Sequence, residues 1–309
     1  MRYQDWLMDW LNNYVEPSVK PKTYERYSDI ISKHLIPRLG ECQIEELTPI
    51  IVQRYITELM QRGNLKTGKG LSPNSVNSVI AVIQGSMETA YTLGLVKEYT
   101  MNKIKRPKAQ EKQVTCFTLS EQKLLEEAVR KDRRIKMIGV LLCLYTGLRL
   151  GELIALEWTD VDLSKAELHV NKTCFYGKNK NGGYRRYINE PKTLSSVRVI
   201  PFPKQLLPIL REAKKRSQSP YVVADGEEPV SVRSYQRSFE LLQKKLKIPR
   251  RGFHSLRHTF ATRALECGMD VKTLSEILGH KNPTITLNRY VHSLMEHKRD
   301  MMNRLGKLL

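Results

Sequence analysis

The chain has 309 residues, 40% of them apolar, too many for one average domain and enough to bury two ordinary cores. Its 52 Lys and Arg against 32 Asp and Glu give a formal charge of +20, the footprint of a densely anionic partner, with nucleic acid first among the choices. The composition also excludes several classes: no run of about 18 apolar residues, lipidation motif or basic amphipathic helix serves a membrane; the polar start MRYQDWLMDWLNNYV is no secretory signal and places the chain in the cytoplasm; and five scattered cysteines without a C-x-x-C pair make no zinc or disulfide scaffold.

Residues 1–105 read as helices with little strand signal. Between Pro21 and Pro37, Tyr24, Tyr27, Ile31 and Leu35 recur at intervals of three and four and draw one apolar stripe. A helix is predicted to open at Thr48-Pro49, where threonine caps and proline suits the first turn. Ser72-Pro73 repeats that signal, followed by Val76, Val79, Ile80, Ile83, Met87 and Ala90 on one face and Gly94 as a stop. Between these helices QRGNLKTGKGLSP predicts an exposed loop whose Lys66 and Lys69 lie near phosphates or simply in solvent.

KIKRPKAQEKQ, residues 103–113, is basic and almost devoid of apolar residues. It sets a linker at 106–115 between a helical domain, 1–105, and a second domain, 116–309, and offers Lys103, Lys105, Arg106 and Lys108 as DNA-backbone contacts. The second domain opens on a capping box at Thr118, T-L-S-E, ahead of Leu124, Leu125 and Ala128. Strand character follows in AELHV, around residues 184–188 and in SVRVIPF, with GKNKNGG as the hairpin turn between the first two. After residue 230 the pattern is helical again, and no fixed-period repeat points to a solenoid.

Four short motifs carry candidate chemistry: T-G-L-R-L-G-E with Arg149 and Glu152, H-S-L-R-H-T with His254 and Arg257, L-G-H-K with His280, and N-R-Y-V-H with Tyr290. Arginine is the strongest phosphate donor, since its planar, permanently charged fork matches two phosphate oxygens at once. His254 and Arg257 stand three apart and share a helical face. His254 and His258 stand four apart, but Ser255 breaks the H-E-x-x-H pattern, so no metal site is assigned. Taken singly, each motif has an ordinary reading, such as a helix that buries Leu256, Phe260 and Ala261 and turns its polar residues to water.

Taken together, in the order Arg149, Lys192, His254-x-x-Arg257, His280, Tyr290, the chain resembles the tyrosine recombinase or phage integrase family over essentially its whole length. The resemblance implies a mainly α fold with a small antiparallel β-sheet. A helical core-binding, SAM-like domain would precede a catalytic domain, the two closing as a C-shaped clamp on duplex DNA. It implies that Arg149 and Arg257 grip the scissile phosphate, that His254 hydrogen-bonds it, and that His280 contacts it and supports the nucleophile. Lys192, in E-P-K-T-L-S-S-V-R-V-I-P, would protonate the leaving 5′-oxygen. Tyr290 would attack phosphorus and leave a 3′-phosphotyrosyl enzyme. No cofactor is implied, because the covalent link keeps the phosphodiester energy, and the chain shows neither a Walker motif nor a carboxylate cluster.

Glu152 is expected to support Arg149 by hydrogen bonding. A phenol of pKa about 10 needs its proton drawn off as it attacks, and both His254 and His280 are open for that task. Lys178, Lys180 and Lys204 flank the same strands as Lys192 and leave its register open. His258 is expected to pack or cap, His292 and His297 to lie on the tail, and Tyr145, Tyr176, Tyr184, Tyr187, Tyr221 and Tyr235 to be structural.

The stretch from Lys172 to Glu190 is longer than a simple turn and resembles the insertion of conjugative-transposon integrases; its Lys178, Lys180, Arg185 and Arg186 are candidate DNA contacts. The activity implied is site-specific recombination of double-stranded DNA for a mobile element or prophage. A type IB topoisomerase-like enzyme and a catalytically inactive DNA-binding regulator are the alternatives. The partners implied are three further copies, giving a tetramer on DNA through exchange of the tail 291–309, and accessory DNA-bending or directionality proteins. That tail carries Leu294, Met295, Met301, Met302 and Leu305 at near-helical intervals and could instead fold back on its own domain. No arm-site domain is read ahead of the helices near Met1, so either simple core sites or a truncated form is expected.

Overall fold

A computed structural model of the chain describes residues 1–109, 115–132, 134–178, 183–189, 197–280, 282–290, 299, 302–303 and 305–306, with 178, 184, 285 and 288–290 described by their backbone alone. The fold is mainly helical with small antiparallel sheets, and it divides into two units. The first takes in Met1–Lys112 and Gly177–Arg185, the second Gln113–Tyr176 and Arg186–Leu309.

The first unit holds α1 (Tyr3–Trp10), α2 (Pro21–Ile30), α3 (Ile36–Leu39), α4 (Pro49–Arg62) and α5 (Pro73–Thr92). Its helix starts follow local chemistry: Thr48 Oγ1 accepts from the Ile51 amide at 3.4 Å and Ser72 Oγ from the Ser75 amide at 3.2 Å. The predicted stripe of α5 is buried throughout, and Gly94 leaves the helix at φ 74°, where a side chain would be strained. α1 lays three aromatic residues on α5. The Tyr3 hydroxyl pairs with Ser86 Oγ at 2.9 Å, and the Trp6 and Trp10 indoles donate to Ser86 O and Thr89 Oγ1, each at 3.0 Å. Each ring thus fills the core while its polar tip stays satisfied.

The loop carrying Lys66 and Lys69 is a built turn. Asn64 Oδ1 accepts from the amides of Lys66 and Thr67 at 3.0 and 3.2 Å, and both lysines are exposed. Lys103, Lys105, Arg106 and Lys108 are exposed as well, while Ile104 is buried among the first unit's apolar residues and the Lys105 amide donates to Gln53 Oε1 at 2.9 Å.

The second unit holds α6 (Leu119–Lys131), α7 (Ile138–Thr146), α8 (Leu150–Ala155), α9 (Leu207–Arg216), α10 (Val232–Lys245), α11 (His254–Glu266), α12 (Val271–Leu278) and α13 (Pro283–Tyr290). Thr118 forms the predicted capping box with Glu121, accepting from its amide at 3.2 Å and donating its own to Glu121 Oε2 at 2.8 Å. α7 is buried from Ile138 to Leu144, and the core gathers around it with α6 and α11 against its sides. Being apolar all round, it carries no amphipathic period to read.

The strands are β1 (Val161–Asp162), β2 (Glu167–Val170), β3 (Thr173–Lys178), β4 (Tyr184–Asn189), β5 (Arg198–Pro201), β6 (Ala224–Asp225) and β7 (Glu228–Pro229). β1, β2 and β5 form one antiparallel sheet in which Leu168 faces Val161 on one side and Ile200 on the other, all three buried. The predicted hairpin needs correction here. β4 does not follow the AELHV strand across GKNKNGG; β3 intervenes and pairs with β4 as a separate two-stranded sheet. Phe175 and Tyr187 stack across that pair with centroids 5.3 Å apart. Among the described residues, no helix is long and apolar enough to cross a membrane.

Candidate active site

Two helices that end on glycine prepare the site. α7 runs out at Gly147 (φ 66°) and α12 at Gly279 (φ 63°), both left-handed. A Cβ at Gly147 would stand 2.5 Å from Phe260 Cδ1, and one at Gly279 would press within 3.1 Å of the Arg198 side chain. The last carbonyls of a helix have no partner inside it and lie at its negative end, where cations are favoured. Here arginines supply the partners. Gly147 O accepts from Arg257 Nη1 at 2.8 Å. At the end of α12 three successive carbonyls take three different arginines: Ile277 O from Arg198 Nε at 2.6 Å, Leu278 O from Arg257 Nη2 at 2.8 Å, and Gly279 O from Arg149 Nη2 at 2.9 Å.

One carboxylate completes the row. Glu152 Oε1 accepts from Arg149 Nη1 at 2.7 Å and Arg198 Nη1 at 3.2 Å; Oε2 accepts from Arg198 Nη2 and from the Arg149 amide, each at 2.9 Å. Burial by itself would raise the Glu152 carboxyl, but hydrogen bonding and charge from Arg198, joined by the charge of Arg149, outweigh it and hold the group below the ordinary carboxylate range. Glu152 is therefore ionised at neutral pH. The stability it lends is complete above the ordinary glutamate pKa of about 4.3 and is lost as pH falls through the lower folded value.

Arg257 is buried at 1% exposure. Its Nη2 also lies 2.9 Å from His280 Nε2, and His280 Nδ1 lies 2.7 Å from the hydroxyl of the fully buried Thr286. A guanidinium has no acceptor, so in the contact with Arg257 the ring nitrogen Nε2 is the acceptor, which leaves Nδ1 to face the Thr286 hydroxyl. Thr286 stands on α13 one helical turn before Tyr290, the last residue of that helix. Three guanidiniums against one carboxylate leave a surplus of two positive charges, suited to a phosphodiester and its more highly charged transition state.

The structure thus brings Arg149, Glu152, Arg257 and His280 together. His254 opens α11, exposed, with its ring edge-on to that of buried His258 at 4.5 Å between centroids. Among the described residues no third ligand joins these histidines in a metal-binding group. Lys192 lies outside the described residues, as do Lys180, His292 and His297, and the side chains of Lys178 and Tyr290 are not described. Of the insertion arginines, Arg185 is exposed, whereas Arg186 is engaged: Nη1 pairs with Glu228 Oε2 at 2.7 Å and Nε donates to the Tyr176 hydroxyl at 3.1 Å.

Sequence reasoning missed Arg198 and Thr286. Arg198 sits in the strand motif quoted for Lys192, and its one signal is an arginine opening an apolar run.

Residues 118–297 match the phage integrase family, and residues 3–60 match the phage integrase N-terminal SAM-like domain. A tyrosine recombinase XerC-like protein of Caldanaerobacter subterraneus is 30% identical, over 98% of this chain and 82% of its own length. The ICEBs1 integrase of Bacillus subtilis is 24% identical, over 94% of this chain and 79% of its own. Among solved structures, the Tn1549 transposon integrase in complex with a circular intermediate DNA superposes with a TM-score of 0.80 over 99% of both chains at 22% identity, which speaks to the fold. The chain belongs to the phage integrase family and is a tyrosine-type site-specific recombinase.

Proposed function

We propose that the recombination serves a mobile element, and that cleavage runs through a 3′-phosphotyrosyl intermediate formed by Tyr290 on double-stranded DNA. The observation that carries this reading is the arginine row at the end of α12. It holds Arg149 and Arg257 on adjacent carbonyls and, through His280 and Thr286, connects them to the helix that ends on Tyr290. The two guanidiniums would stabilise the phosphorane oxygens, His280 would adjoin them, and Lys192 would supply the proton to the leaving 5′-oxygen. His254, at the exposed start of α11, would add a hydrogen bond to the phosphate.

A suicide substrate nicked beside the scissile phosphate tests it. In EDTA the wild type is expected to form a protease-sensitive covalent adduct, and Tyr290→Phe none. DNA binding without any wild-type adduct would instead favour a regulator that has lost catalysis.

The insertion arginines divide on this reading. Arg185→Glu is expected to weaken DNA binding and flatten its salt slope by about one. Arg186→Glu would chiefly break the contacts to Glu228 and Tyr176 and leave the slope in place. Equal slope changes in the two variants would count against the assignment.

Tetramer assembly through the tail belongs to the same proposal, as do accessory DNA-bending or directionality proteins. Much of the tail lies outside the described residues, but Met302 and Leu305 are 65% and 47% exposed, which supports an apolar surface awaiting a neighbour. Light scattering of a chain lacking residues 294–309 on DNA is expected to show fewer protomers per complex; unchanged assembly would reject exchange.

A further inference from the structure

The Arg198 side chain is 7% exposed, and its guanidinium makes two contacts to the Glu152 carboxylate where that of Arg149 makes one. A carboxylate offers about four acceptor positions. Arg198 fills two of them with its fork, at 3.2 and 2.9 Å, and the Arg149 amide fills a third. Only one remains for the Arg149 guanidinium, at 2.7 Å through Nη1, while Nη2 is drawn to Gly279 O at 2.9 Å.

Without Arg198, Glu152 could take Arg149 in a two-pronged pair, the preferred geometry of these groups. That pair would turn the guanidinium onto its own carboxylate and leave it no net charge. With Arg198 present, two cations share one anion, so a unit of positive charge is left at the pair. The backbone enforces the arrangement, since Arg198 is anchored by Nε to Ile277 O at 2.6 Å and at the head of β5 by the ladder opposite Val170.

We propose that Arg198 is a positioning residue for Arg149: by occupying the Glu152 carboxylate it holds the Arg149 guanidinium to a single prong and keeps its charge available to the scissile phosphate. The inference rests on the reading of Arg149 as a phosphate ligand.

A double-mutant cycle tests it, with single-turnover adduct formation on the suicide substrate as readout and thermal unfolding and DNA affinity measured alongside. Arg198→Gln is expected to slow adduct formation about 100-fold, the scale of a misplaced catalytic group, with affinity changed less than tenfold. In an Arg149→Lys background the same change is expected to cost under about threefold, because Arg198 acts through Arg149. A general structural role would give losses that multiply across the two backgrounds, and that result overturns the proposal, as does a single variant as fast as the wild type. Should Arg198→Gln fail to fold, Arg198→Lys, which keeps the charge but gives up the fork, enters the same cycle under the same criterion. If the wild type itself forms no adduct, the functional reading has failed; if the wild type reacts and the losses multiply, only the role of Arg198 has.

Discussion

Replacing Glu152 with alanine is expected to destabilise the catalytic unit by about 3–5 kcal/mol, the scale for removing one partner from a buried ion pair. The carboxylate is 4% exposed and neutralises Arg198, itself 7% exposed, while also holding Arg149. Removing it takes the carboxylate away from two guanidiniums, one of them on a side chain 7% exposed, and leaves the start of α8 without its acceptor. For a unit of this size each kcal/mol moves the midpoint by roughly 2–4 °C, so a fall of about 6–20 °C is expected by calorimetry. The gap should be widest above the ordinary carboxylate pKa and close as pH drops through the lowered folded value, because the wild-type group then also loses its charge. A midpoint within about 3 °C of the wild type at neutral pH would mean that the row does not depend on this carboxylate.

Arg257→Lys should do the opposite, sparing much of the fold while stopping the chemistry. Lysine keeps the charge but concentrates it on one atom, and one atom cannot serve Gly147 O, Leu278 O and His280 Nε2 from the directions a planar fork reaches. Adduct formation is expected to fall by about 10²–10³, the scale for losing one preorganised donor to a developing oxyanion. DNA affinity should fall less than tenfold, since one phosphate among many is affected. Leaving a buried carbonyl unsatisfied adds a penalty of about 1–3 kcal/mol. Single-turnover cleavage and gel-shift titration at one salt concentration measure both quantities; parallel losses in the two would point to a general failure of the fold.

The parts of this architecture legible from sequence are those whose partners are close in the chain. Thr48, Ser72 and Thr118 cap backbone amides three residues away, so their helix starts could be read directly. The stripe of α5 repeats within a few turns. Arg149 and Glu152 are likewise three apart, and their pairing was expected. Arg198 reaches Glu152 across 46 residues and Ile277 across 79, and no local pattern announces either contact. The pairing of β2 with β5 rather than β4 was hidden for the same reason, since 27 residues separate Val170 from Arg198 across that ladder. Arg186 looked like a free basic residue because Glu228, its partner, is 42 residues away. Gly147 and Gly279 were visible as letters in T-G-L-R and L-G-H-K, but the left-handed turns they make, and the carbonyls those turns expose, appear only in three dimensions.

The carbonyl row at the end of α12 carries one more implication. Its three acceptors belong to the main chain, so no exchange of side chains at Ile277 or Leu278 deletes them; at Leu278, fully buried, such an exchange acts on the row only through packing. The genetic exposure of the site is thereby concentrated in the donors and in Gly279, whose left-handed turn steers the path. The donors are thus where a single substitution removes a contact outright, while the helix that supports them contributes through its main chain.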